Sequence, residues 1–286
     1  MPVNLLAQRH NVSVSCAKKY ADQIRAIANK AGADLGADDE TLDAPQALAV
    51  ITREPLVLTA DTLVLFDMHL PLTDADLVYK ACRLAKNQHV QSVLFGGDLL
   101  DDNTWRQSQS AAAQIPYEQV VEETEEVLRT IMEHYGMTCY AIMGNHDAWL
   151  YMLLLHQLPS SSLLARLLSN IKATSNHWCD IESEGLVIRI EHCQQFSGEN
   201  PLLVPQRLAA KFRLPVVVGH QHHYAEGLDR SGEFQCIAAG GLFDPRRLDY
   251  DTASHTTLPT MTQGFVVVRS GWATHYIKAH PALREV

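Results

Sequence analysis

Four polar strings rich in metal-ligating residue types each follow a short apolar run, and this recurrence constrains the fold more than any other feature of the chain. Asp67-Met68-His69 follows LVLF (63–66), and Gly97-Asp98-Leu99-Leu100-Asp101 follows SVLF (92–95). Gly144-Asn145-His146-Asp147 follows CYAIM (139–143), and Gly219-His220-Gln221-His222 follows PVVV (215–218). A fifth run, LVIRI (186–190), leads to His192. Runs of this length and composition suit strands buried in a sheet. Helical patterns at 74–86 and 117–135 lie between the first three runs, the second with an acidic first half. Strands alternating with helices predict an α/β architecture. Open α/β sheets place their sites beyond the C-terminal ends of the strands, so strings more than 150 positions apart are expected to converge.

The spacing within two of the strings has its own logic. In extended backbone, residues i and i+2 project to one side, so Asp67 and His69 can face one ion, as can His220 and His222. Taken singly, each string has an ordinary explanation. A Gly-Asp after a strand is usually a turn or a helix cap, and a solitary strand histidine is usually a hydrogen-bonded core residue. Four such strings in order, each after an apolar run, point instead to bound metal. Carboxylate, amide oxygen and imidazole without thiolate suit borderline-hard divalent ions, with Mn²⁺, Fe²⁺ and Zn²⁺ as the candidates.

The rest of the chain sets the class. With 47% of its 286 residues apolar, it can bury a substantial core as one large domain with additions. Residues 1–55 read as an N-terminal helical extension with an acidic, Gly- and Pro-broken end, and 56–286 as the main domain. After Pro215, FQCIAA, GFVVVRS and THYIKA are expected to build a second sheet against the first. A net charge of −10 opposes tight binding to a nucleic-acid backbone, although bound divalent cations would reverse the sign locally. Six scattered cysteines without a CxxC pair read as reduced thiols. The stretch 1–16 does not read as a secretory signal, and the longest apolar stretch, 149–155, is too short to span a bilayer. A soluble, cytoplasmic protein without a membrane partner is the expectation.

In their order and spacing, D-x-H, G-D-x-x-D, G-N-H-D, a single histidine and G-H-x-H, the strings resemble the calcineurin-like metallophosphoesterase superfamily, from about Thr62 to the C-terminus. The resemblance implies a four-layer α/β/β/α sandwich of two stacked mixed β-sheets flanked by helices, with a dinuclear metal site at the strand C-terminal ends. Carried over by position, it implies that Asp67, His69 and His222 hold one metal, Asn145, His192 and His220 the other, and that Asp98 bridges them. The superfamily usually has Gly after the single histidine, where this chain has Cys193. The place of His192 just past LVIRI favours it over His177 and His156.

The activity implied is hydrolysis of a phosphomonoester or phosphodiester by in-line attack of a metal-bridging hydroxide. By the same resemblance His146 is the general acid, Asp101 orients its ring, and Asp147 fixes the loop. Two further classes stay open: a DNA or RNA nuclease of the same superfamily, and a non-catalytic scaffold on the same fold. Asp102 stands where phosphoprotein phosphatases carry Arg, Asp101 where repair nucleases carry His, and His146 where lipid A precursor hydrolases carry Arg. A phosphoester substrate, such as a nucleotide, is the expected partner. Arg246 and Arg247 in the segment 240–250 are candidates for gripping its phosphate, and His223 and His255 are remoter ones. The apolar insert 148–168 offers a cap or a homo-oligomer surface, with ordinary core helices as the alternative.

Overall fold

In a computed structural model of the chain, the structure describes residues 51–101, 104, 115–147, 163–193, 200–247 and 261–285. All fall within the unit Pro45–Val286. Most of the expected extension 1–55 and most of the insert 148–168, with His156, Asp102 and His255, lie outside the described residues.

The described chain runs β1 (Ile51–Thr52), β2 (Leu56–Leu58), β3 (Thr62–Leu65), α1 (Ala75–Asn87), β4 (Ser92–Phe95), α2 (Tyr117–Arg129), β5 (Thr138–Ala141), α3 (Leu163–Ser169) and β6 (Lys172–Thr174). It continues through β7 (Trp178–Ser183), β8 (Leu186–His192), α4 (Leu203–Phe212), β9 (Val216–Gly219), β10 (Tyr224–Leu228), β11 (Gln235–Ala239), β12 (Gly264–Arg269) and β13 (Trp272–Ile277). One seven-stranded sheet has the order β1-β6-β5-β4-β3-β12-β13, and a six-stranded sheet has the order β10-β11-β9-β8-β7-β2. Strands β3, β4, β5 and β6 are parallel neighbours, as are β8 and β9 in the second sheet. Their C-terminal ends therefore open toward one rim.

Alternation of apolar side chains explains the layering. In β3, Leu63 and Leu65 join the core beneath the helices, whereas Val64 and neighbouring Phe66 join the core between the sheets. In β9, Val216 and Val218 pack toward α4 and Val217 toward the opposing sheet. A strand buried on both faces needs apolar residues at every position, and these runs have them. Helix α1 begins where the Asp74 carboxylate accepts a hydrogen bond from Leu77 N at 3.2 Å. It buries Leu77, Val78, Ala81, Cys82, Leu84 and Ala85 on one face. Helix α2 passes into a π-helical turn (Thr130–His134), closed by Tyr135 N donating to Thr130 O at 3.0 Å. The four-layer arrangement of stacked mixed sheets flanked by helices is that of the calcineurin-like fold.

Several assignments differ from expectation. The main sheet already begins at Ile51–Thr52, inside the stretch assigned to the extension. GFVVVRS and THYIKA form the hairpin β12–β13, which extends the first sheet through the register Val266↔Val64. LVIRI and PVVV instead lie in the second sheet. A continuous apolar run specifies that a strand is covered on both faces, and it does not specify which sheet the strand joins. The short, mixed patterns of 178–183 and 203–212 do not announce strand β7 and helix α4. The five described cysteines, Cys82, Cys139, Cys179, Cys193 and Cys236, are buried free thiols. Among the described residues, no helix is long and apolar enough to cross a membrane.

Ile188 is fully buried between the sheets, while Leu186, at the start of the same strand, is 55% exposed. Ile188→Ala should lower the unfolding free energy by about 2–5 kcal/mol, and Leu186→Ala by less than about 1 kcal/mol, in urea denaturation.

Candidate metal centre

Each polar string begins where a strand ends, but the backbone there is not extended. Asp67, His69, Asp98, His220 and His222 all have positive φ, at 47°, 47°, 49°, 78° and 57°. A left-handed non-glycine residue costs on the order of 1 kcal/mol, and tertiary hydrogen bonds must hold it. Here Asp67 N donates to Gly97 O at 3.1 Å, His69 N to Asp98 O at 2.9 Å and Thr262 N to His222 O at 2.9 Å. Extended backbone, expected to bring residues i and i+2 to one side, is therefore not what aims these ligands. Asp67 and His69 do share a cluster, through left-handed turns, whereas His220 and His222 point into different clusters.

Three groups of ligand atoms lie close together. Those of Asp67, His69 and His222 fall within 4.8 Å of one another, as do those of Asp98, His192 and His220 and those of His69, Asp101 and His146. His222 Nε2 stands 3.2 Å from Asp67 Oδ1. His192 Nε2 stands 3.2 Å from Asp98 Oδ2 and 3.2 Å from Asn145 Oδ1. His192 Nδ1 lies 3.1 Å from Gly96 O, which can only accept, so Nδ1 carries the proton and Nε2 faces the carboxylate and the amide oxygen. His177, the rejected alternative, lies beside the site, with its Nδ1 at 2.6 Å from Met143 O.

Burial at this rim is severe. Asp67, His69, Asp98, Asp101, Asp147 and His192 are all buried. Asp67 Oδ1 and both ring nitrogens of His69 lack a hydrogen-bond partner among the described residues. An ionised carboxylate and an imidazole in such a place are costly unless a cation meets them, so the donor set fits divalent metal ions. Burial alone would raise the Asp98 carboxyl, but His192 beside it holds it well below the usual carboxylate range. Burial would lower the His192 imidazole, and Asp98 instead raises it to about 9.

Two glycines are required by close approach. A Cβ on Gly97, whose φ is +97°, would sit 2.4 Å from His192 Nδ1, and one on Gly144 would sit 2.0 Å from Asp98 Oδ1. Asp147 ties the loops, its Oδ1 accepting from Leu100 N at 3.2 Å and its Oδ2 from Gly144 N at 2.9 Å. Burial, with Asp98 nearby, pushes its carboxyl up to about 7.

The structure rearranges two expected relations. Asp101 Oδ1 stands 3.3 Å from His69 Nδ1, while its Oδ2 accepts from Thr104 N and Oγ1, both at 2.7 Å. His146 Nδ1 has no hydrogen-bond partner among the described residues, so no hydrogen bond from Asp101 orients that ring, although the two side chains belong to one cluster. The reason is geometric: the turn after β3 carries His69 directly alongside Asp101. The two arginines expected to grip phosphate both make ion pairs. Arg246 pairs with Asp244 at 2.7 Å. Arg247 pairs with Glu123 at 2.7 Å and donates to Pro71 O at 3.0 Å. Two residues escaped sequence reasoning: Thr104, whose D-x-x-T spacing from Asp101 was a usable signal, and Phe243, which carried none.

The sequence model of the calcineurin-like phosphoesterase family matches residues 62–232. No curated protein matches the chain. Among solved structures, the chain is similar to Yfce, a phosphoesterase from E. coli, at 17% identity, 78% coverage of this chain and 99% of that one, and a TM-score of 0.40. It is also similar to Vps29 of Chaetomium thermophilum, at 14% identity, 77% and 88% coverage and a TM-score of 0.40. Nuclease MPE of Pseudomonas putida matches at 15% identity, 75% and 87% coverage and a TM-score of 0.35. Likeness at this level carries no argument about activity. The matched segment spans more than half of the 286 residues and holds all the strings described above, and the chain belongs to the calcineurin-like phosphoesterase family.

Proposed function

We propose that this protein is a dinuclear metal-dependent phosphoesterase that hydrolyses a phosphomonoester or phosphodiester. The observation that carries this reading is the pair of carboxylate–imidazole clusters at one rim, in the first of which Asp67 Oδ1 and both ring nitrogens of His69 are buried without a hydrogen bond among the described residues. In this reading Asp67, His69 and His222 hold one ion, and Asn145, His192 and His220 the other. Asp98 is the shared ligand, supported by its electrostatic pull on both His69 and His192. Two divalent ions of the Mn²⁺, Fe²⁺ or Zn²⁺ type, when bound, lower the pKa of a shared water and neutralise phosphoryl charge during in-line attack.

The remaining chemistry belongs to the protein's own side chains. His146 is placed by its backbone N, which donates to Asp98 Oδ1 at 2.8 Å. Its ring is half-buried, which suits delivery of a proton to the leaving oxygen. Burial lowers its pKa, which the charge of Asp98 partly opposes. Asp101, clamped by Thr104, positions His69, and Asp147 fixes the loop that carries Asn145 and His146. A small phosphoester, such as a nucleotide, suits the acidic chain better than a long nucleic acid.

Purified protein should contain two divalent ions per chain by elemental analysis, and chelation should abolish turnover until Mn²⁺ is restored. His146→Asn should retain both ions yet lose on the order of 10²- to 10⁴-fold in kcat; unchanged turnover would remove the acid role. A Mn²⁺-supplemented panel of p-nitrophenyl phosphate, bis-p-nitrophenyl phosphate, cyclic nucleotides and single- and double-stranded DNA should show hydrolysis of a small ester. Salt-sensitive cleavage of DNA alone would make the protein a nuclease, and inactivity with every metal and substrate would make it a scaffold.

A further inference from the structure

The segment that sequence analysis singled out for its arginines brings a different side chain to the site. Phe243, fully buried, places its ring 4.5 Å from the His222 ring, at 51°, and 5.8 Å from the His69 ring, at 78°. Both imidazoles belong to the Asp67 cluster, and no ring contact joins Phe243 to His192 or His220 of the Asp98 cluster. The phenyl ring is set firmly in place. Residue 243 bridges antiparallel to Thr73, and Asp244 N donates to Leu72 O at 2.7 Å. Gln263 Nε2 donates to Phe243 O at 2.8 Å, and a Cβ on Gly241 would lie 2.6 Å from Phe243 Cε1. The ring thus folds back over its own backbone against the turn that carries Asp67 and His69, to which Leu242 N is bonded through Asp67 O at 3.1 Å.

We infer that Phe243 is a positioning residue for one ion site only: it packs edge to face on the His69 imidazole and at a tilt on the His222 imidazole and forms a dry wall behind them, giving the two proposed sites unequal affinity. This inference rests on the dinuclear reading above. An aromatic edge-to-face contact restricts ring rotation, so the imidazole nitrogens are already aimed before a cation arrives. An apolar wall also excludes water and lowers the local dielectric, which strengthens attraction between a cation and its ligands. The second cluster is organised differently, since Gly96 O orients His192 by a hydrogen bond. Removing the phenyl ring should therefore loosen one site and spare the other.

The test is calorimetric titration of the metal-free full chain with Mn²⁺. Wild-type protein should bind two ions, and Phe243→Ala should weaken one of them by on the order of 10- to 100-fold. Phe243→Leu, which keeps an apolar wall without a flat ring, should fold and fall between the two. In a His220→Ala background the effect of Phe243→Ala should persist in full, and in a His222→Ala background it should shrink to the part that acts through His69. Phe265→Leu, a comparable loss of packing in the core under the helices, should leave both affinities at wild-type values. Equal weakening of both sites, affinities untouched by either Phe243 variant, or an equal effect of Phe265→Leu would overturn the positioning role. A wild-type chain that binds no Mn²⁺ would instead overturn the dinuclear reading, and the inference would fall with it.

Discussion

Taking a carboxylate out of water costs several kcal/mol unless an opposite charge or several hydrogen bonds receive it. This fold gathers Asp67, Asp98, Asp101 and Asp147 at one rim and buries all four. Asp147 is satisfied from within the protein, by Leu100 N and Gly144 N, whereas Asp101 accepts from Thr104 at one oxygen and leaves the other, facing His69, without a hydrogen bond among the described residues. The other two are likewise only half satisfied. Asp67 and Asp98 each use one oxygen to accept a backbone N–H, from His220 and His146 respectively, and turn the other toward an imidazole. Those backbone bonds couple the turns after β3 and β4 to the turns after β9 and β5. The same carboxylates that could hold a cation thus determine how the loops from both sheets fit together.

Much of this was legible in advance. Each apolar run of 63–66, 92–95, 139–143, 186–190 and 215–218 became a strand or most of one; β3, β4 and β9 are buried at every position, as continuous apolar runs require, whereas β8 alternates buried and partly exposed residues. Asp74 could be read as the start of a helix and proved to be its cap. Convergence of distant strings followed from one rule, that parallel strands end on the same rim. The partition of strands between sheets was not legible, because β12 offers the same Val-rich pattern whether it lies beside β3 or beside β9. Likewise, nothing in LVIRI indicates that it pairs with β7 and β9 in the second sheet.

Backbone conformation at the ligands illustrates a different limit. Residue types at 67, 69, 98, 220 and 222 announce metal chemistry, but these residues adopt left-handed φ against their own preference. Only hydrogen bonds from neighbouring loops, such as His69 N to Asp98 O, make that conformation affordable. The glycines at 97 and 144 are legible after the fact, since His192 and Asp98 occupy the space that a side chain would need.

Identity, order and spacing of the polar strings, each set after an apolar run, carry the family, the rim on which the site lies and the residues that meet there. Those are properties of residue type and periodicity, which a one-dimensional chain contains in full. Which carboxylate faces which imidazole is another matter: Asp101 lies against His69 rather than bonding to the His146 ring, Arg247 is held by Glu123 and Pro71 O, and Phe243 backs His69 and His222. Each of these joins segments distant in sequence, or turns on a ring orientation a few ångströms from its alternative. Distances of that size are set by packing of both sheets together, after the chain has closed.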